Sequence, residues 1–242
     1  MWLPQLVLPV TDQTRSRTVP YVNVGLIVAN ILVFLYELTL SDPELNSFFR
    51  QHGVIPAQLV DWWGDPNGLG EPMTIYTSAF IHGGWLHLIG NMVYLWVFGD
   101  NVEDALGHIK YFFFYFVCAA GAVAAQVFVD SEGAVPVIGA SGAIAGVLGA
   151  YLVFYPRATV GTLVGYVWYV PVPAVVVIAV WFGMQLLAGI AALGADSVAE
   201  QSVAFWAHIG GFVTGAAIAL VARPFVRPRP LPRRRRSEAD MW

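Results

Sequence analysis

The chain has 242 residues, of which 57% are hydrophobic and only 12% charged, for a formal net charge of −4. A soluble domain carries about 25% charge, so this composition excludes an ordinary water-facing globule and favours one all-α polytopic membrane domain. Cys118 is the single cysteine, which rules out an intrachain disulfide and a thiolate metal cluster; in its apolar run it reads as a small buried hydrophobe.

Residues 1–20 carry prolines and charges and no apolar core followed by a small-residue cleavage site. They read as a cytoplasmic segment, with the first span as the insertion signal. Residues 21–222 read as a six-helix membrane domain, with spans at 22–40, 84–99, 109–129, 138–155, 171–193 and 203–222. A membrane helix needs about 20 predominantly apolar residues. The connection 41–83 is long and contains Pro56, Pro66, Pro72, Trp62 and Trp63. Its tryptophans suit the membrane interface, and a connection of this length suits function or short interfacial structure. Residues 223–242 form a basic tail, RPFVRPRPLPRRRR at its start, expected to be cytoplasmic and solvated.

The basic residues orient the chain. With a cytoplasmic N-terminus, Arg15, Arg17, Lys110, Arg157, Arg223, Arg227, Arg229 and Arg233 to Arg236 all fall inside, and only Arg50 falls outside. That is the positive-inside pattern. The tail reads first as a topology signal, with anionic lipid a second reading and nucleic acid not expected as a partner.

Polar side chains in the bilayer are functional candidates. His87 and Asn91 lie in span 2, Ser141 begins span 4 and His208 lies in span 6; Asn23, Asn30 and Glu37 lie in span 1. At ~1.5 Å of rise per residue, Ser141 is about 24 Å above Arg157. His208 is likewise about 22 Å above Arg223, and His87 about 20 Å above Asp100. The three therefore share one layer below the outer surface. A serine hydroxyl needs a base to become a nucleophile, and a histidine supplies one near neutral pH. No acidic residue shares this depth in spans 4 or 6, so a dyad is expected. His87 and Asn91, four apart, share a helix face; with the Ser141 backbone N–H they could hold an oxyanion. Gly139, Gly142, Gly146 and Gly149 around Ser141, and Ala207, Gly211 and Gly215 around His208, let membrane helices approach closely.

Taken together, His82-x4-His87-x3-Asn91, Gly99-x3-Glu103-x3-Gly107, Gly139-Ala140-Ser141-Gly142 and Ala207-His208-x2-Gly211-x3-Gly215 resemble the rhomboid family. The resemblance covers roughly residues 20–222. It implies an intramembrane serine endopeptidase on a six-transmembrane-helix bundle, with Ser141 as nucleophile, His208 as base and His87 and Asn91 at the oxyanion. It implies structural roles for His82, Glu103, Gly139, Gly142, Gly211 and Gly215. Segment 41–83 would be the membrane-inserted first loop, and span 5 with Tyr166, Trp168 and Tyr169 would border the lateral route. Substrates would be single-span membrane proteins, cut near the outer end of their helix without metal or cofactor. Some members carry an aromatic four residues after the nucleophile; here that position is Ala145, so another side chain, such as Phe205 or Trp206, is expected to orient His208.

A transporter would also bury histidines and break a helix, but no inverted repeat is evident. A silent membrane adaptor on the same fold is the second alternative. A zinc metalloprotease is disfavoured by the lack of H-E-x-x-H. The lack of a targeting extension suits a prokaryotic plasma membrane.

Overall fold

The computed structural model describes residues 7–12, 16–64, 71–164, 168–193 and 205–226. The expected tail beyond residue 226, with its arginines, and Tyr166 lie outside the described residues.

Each of the six expected apolar segments contains a helix. They are α1 (Tyr21–Glu37), α5 (Trp85–Leu106), α6 (His108–Val129), α7 (Ser141–Phe154), α8 (Ala174–Leu193) and α9 (Phe205–Ala222). By length and composition, α6 and α9 are each long and apolar enough to cross a membrane. Helix α7 is apolar on every face, as a helix surrounded by protein must be. It runs at the centre against α5, α6 and α9, with Leu148, Ala150 and Tyr151 fully buried. Its 14 residues span only about 21 Å, less than the expected 138–155, because the chain before Ser141 is extended.

The connection 41–83 is more regular than its prolines suggest. It forms α2 (Asp42–His52), α3 (Pro56–Gly64), α4 (Glu71–Thr77) and a 3-10 turn at Ser78–Phe80. Helix α2 opens on a capping box, in which the Ser41 N–H and hydroxyl both donate to Glu44.

The expectation of an all-α chain needs one correction. Strands β1 (Val7–Asp12), β2 (Thr159–Val164) and β3 (Trp168–Pro173) form an antiparallel sheet in the order β1-β2-β3. The N-terminal segment, read from the sequence only as cytoplasmic, pairs with the α7–α8 connection. Their valine- and threonine-rich stretches favour strands.

The α7–α9 contact rests on glycine. A Cβ on Gly211 would lie 1.9 Å from the Gly142 carbonyl oxygen, and one on Gly215 would lie 2.0 Å from that of Gly146. The two backbones therefore touch. The Cys118 sulfur of α6 also occupies the space beside Gly146, where a Cβ would collide with it.

Polar side chains anchor the rest. The buried Glu103 carboxylate accepts from the Val22 N–H at 3.1 Å and the Asn23 N–H at 2.7 Å, capping the start of α1, and contacts His108. Asn23 accepts from the Tyr111 hydroxyl at 2.8 Å and donates to the Leu95 carbonyl at 3.0 Å. At the sheet end, Asn101 donates to Asp12 at 2.7 Å and to Asp100 at 2.9 Å, and the Tyr151 hydroxyl donates to Asp12 at 3.0 Å.

One prediction follows from this packing. Gly211→Ala should cost roughly 1–3 kcal/mol of stability, the usual range for overpacking, whereas Gly25→Ala, with nothing within 4 Å of its Cβ, should cost nothing. Thermal unfolding in detergent distinguishes them.

Candidate functional site

The start of α7 is set by the chain before it. Val137 pairs with Val54, exchanging backbone hydrogen bonds of 3.0 and 2.7 Å, and the Gly139 N–H donates to the Ser78 carbonyl at 2.8 Å. Residues of the long connection thus hold the approach to Ser141. Gly139 then turns with φ +120°, a conformation open to glycine. The first intrahelical bond runs from the Ile144 N–H to the Ala140 carbonyl at 3.0 Å. The amides of Ser141 and the next two residues belong to the helix start, where backbone donors have no intrahelical partner.

Ser141 faces α9. Its Oγ lies 2.7 Å from His208 Nε2, and His208 is 4% exposed. Their separation of 67 positions is bridged by the glycine contact below, since Gly142 and Gly211 flank the pair. A neutral imidazole that accepts the serine proton at Nε2 carries its own proton at Nδ1. That nitrogen is buried and has no hydrogen-bond partner among the described residues. The geometry is a serine–histidine pair without a third, acidic member among the described residues.

His87 lies beside this pair. A Cβ built on Gly139 would be 2.6 Å from His87 Nε2 and 3.7 Å from Ser141 Oγ, so these groups crowd one small volume. Asn91, one turn below on α5, is buried, and its amide nitrogen lies 2.9 Å from His82 Nε2. His82 Nδ1 faces the Phe80 carbonyl at 3.3 Å, which sets a tautomer with the proton on Nδ1 and Nε2 accepting from Asn91. The backbone N–H of His82 donates to the Glu37 carboxylate at 3.2 Å. His82 also packs edge-on to His87, with ring centroids 4.9 Å apart. One chain of contacts therefore runs from Glu37 through His82 to Asn91.

The structure sorts the polar residues of the apolar segments. Ser141, His208, His87, Asn91 and His82 come together with Gly139 and Gly142. Asn23 and Asn30 do not; Asn30 donates to the Leu26 carbonyl at 2.7 Å within its own helix. Glu103 sits with His108 at the start of α1. Glu37 reaches the cluster through His82, a link its position in the first helix does not reveal. Beside Phe205 and Trp206, expected from the sequence as candidates to orient His208, the structure offers a third ring. Phe205 packs on Phe182 and Trp206, whereas the ring centroid of Trp181 on α8 lies 5.4 Å from that of His208.

Comparison with known proteins shows the family. Residues 69–225 match the family model described as Rhomboid domain. The chain is 32% identical to RHOMBOID-like protein 5 of Arabidopsis thaliana over 103 residues, 43% of this chain and 31% of that one. It is 30% identical to Rhomboid protein 1, mitochondrial, of Saccharomyces cerevisiae over 84% of this chain and 53% of that one. It is 26% identical to Rhomboid protease AarA of Providencia stuartii over 81% of this chain and 70% of that one. Against the first two, the chain thus spans about a third and about half of their lengths.

Gly139→Ala should disturb the cluster while leaving the bundle intact. The added methyl would meet both an unfavourable φ and the His87 ring. The expected outcome is a loss of more than about 10-fold in the labelling rate of Ser141 by a fluorophosphonate, since strained backbone costs of order 1–3 kcal/mol. An unchanged rate would show that the Gly139 turn does not govern Ser141.

Proposed function

Because the chain belongs to the rhomboid family, we propose that it is an intramembrane serine endopeptidase that cuts single-span membrane proteins near the outer face of the bilayer. The observation that carries this reading is the 2.7 Å contact between Ser141 Oγ and His208 Nε2, made between two apolar helices. The name of the Providencia relative, a rhomboid protease, supports it. In this reading α1 and α5 to α9 are six spans, residues 21–222 form the membrane domain, and both termini lie in the cytoplasm. The positive charges of the sequence support that orientation.

The mechanism follows from the positions. His208 Nε2 takes the proton of Ser141 as the oxygen attacks the scissile carbonyl. The carbonyl oxygen becomes an oxyanion held by the Ser141 N–H at the helix start, by His87 and by the free amide hydrogen of Asn91. His208 then returns its proton to the leaving amine, and water releases the acyl group by the reverse route. His82 keeps the Asn91 amide aimed, and Gly139, Gly142, Gly211 and Gly215 keep the two catalytic helices in contact. No metal or cofactor enters. The alternative of a transporter is disfavoured because the two histidines His208 and His87 crowd one hydroxyl instead of lining a path.

The test is cleavage of a tagged single-span substrate by purified protein in liposomes. Ser141→Ala and His208→Ala should abolish cleavage while the proteins insert normally. Asn91→Ala should be milder, about 10²–10³ in rate at most, because other donors remain. Persistent cleavage by pure Ser141→Ala would sink the mechanism.

A further inference from the structure

Resting on that reading, the structure points to Trp181 as the residue that positions His208, and we propose that its ring also steadies the imidazolium formed during catalysis. A catalytic imidazole needs a fixed ring plane, yet no acceptor among the described residues meets His208 Nδ1. Packing then takes the part of a hydrogen bond. Ala145, on the next turn of α7 after Ser141, is fully buried and too small to supply a ring face. Trp181 fills that need from α8. Its centroid lies 5.4 Å from that of His208 with the planes 57° apart, inside the ~6 Å reach of a cation–π contact.

Trp181 is itself held. It is 5% exposed, packs against Tyr94 of α5 at 5.9 Å and touches its neighbour Phe182, which in turn packs on Phe212 of α9 at 5.3 Å. The indole is thus wedged between α5 and α9 with little rotational freedom. When His208 accepts the serine proton it becomes a buried cation, and an aromatic face is a partner for such a charge that needs no acceptor atom. Because Trp181 belongs to α8, the alignment of the dyad depends on a third helix that contributes neither of its members.

The experiment compares wild type with Trp181→Phe and Trp181→Met. It measures kcat and KM for a single-span substrate, and the rate at which a small fluorophosphonate labels Ser141, which bypasses recognition of a substrate helix. Samples are matched by size-exclusion profile and melting temperature. Trp181→Phe should stay within about 3-fold of wild type, because a ring face remains. Trp181→Met fills the space without one, and should lose roughly 10- to 30-fold in both kcat and labelling, with KM little changed. Equal behaviour of the two variants, or a change in KM or cleavage with labelling untouched, would overturn the positioning role; so would any gain in activity. Wild type that fails to label at Ser141 would overturn the dyad itself, a result distinct from wild type that labels and Trp181 variants that match it.

Discussion

Everything at the site depends on how closely α7 and α9 approach. Two helices with ordinary side chains pack with axes 8–10 Å apart. Here Gly142 against Gly211, and Gly146 against Gly215, bring backbone to backbone. A serine side chain is one of the shortest with a hydroxyl, and it reaches an imidazole on a neighbouring helix only when nothing intervenes. The 2.7 Å contact is therefore a property of four glycines as much as of Ser141 and His208. Since lipid tails are as apolar as leucine, helix association in a bilayer leans on such van der Waals fit.

The second constraint is the break before Ser141. If the helix began at residue 138, the amides of Ser141 and Gly142 would be consumed within it. The extended stretch ending at Gly139 moves the helix start to Ser141 and leaves those donors available. That stretch is held in turn by Val54 and Ser78 of the long connection. The connection thus acts on the site through backbone pairing, and the same region carries Glu37's link to His82 and His82's link to Asn91. A buried polar network of this kind is stable only when its members are paired, which gives His82 a reason to be where it is without touching the serine.

Some of this was legible and some was not. The common depth of His87, Ser141 and His208 could be read from residue counts, because a helix has a fixed rise, and the three do cluster. The small residues every four positions foretold the α7–α9 contact. The capping box Ser41-x-x-Glu44 was a usable signal for α2. The sheet was harder: β2 and β3 lie close together in sequence, but β1 lies far from both, and its pairing with β2 has no local sign. The role of Trp181 was hidden for a related reason. An aromatic in an apolar run has no distinctive spacing, and its value comes from a neighbour 27 residues away on another helix.

The sequence by itself determined the class of the molecule, the apolar segments, the candidate nucleophile and base and the family to which they belong. It could do so because hydropathy, helical rise and glycine spacing are local and additive along the chain. Only the tertiary structure decided which polar residues meet: Asn91 with His82, Glu37 with the His82 backbone, His208 with Trp181, and Asp12 with Asn101 and Tyr151. Those pairings depend on the relative rotation and offset of separate helices, and a rotation of one residue, about 100°, would send each side chain elsewhere.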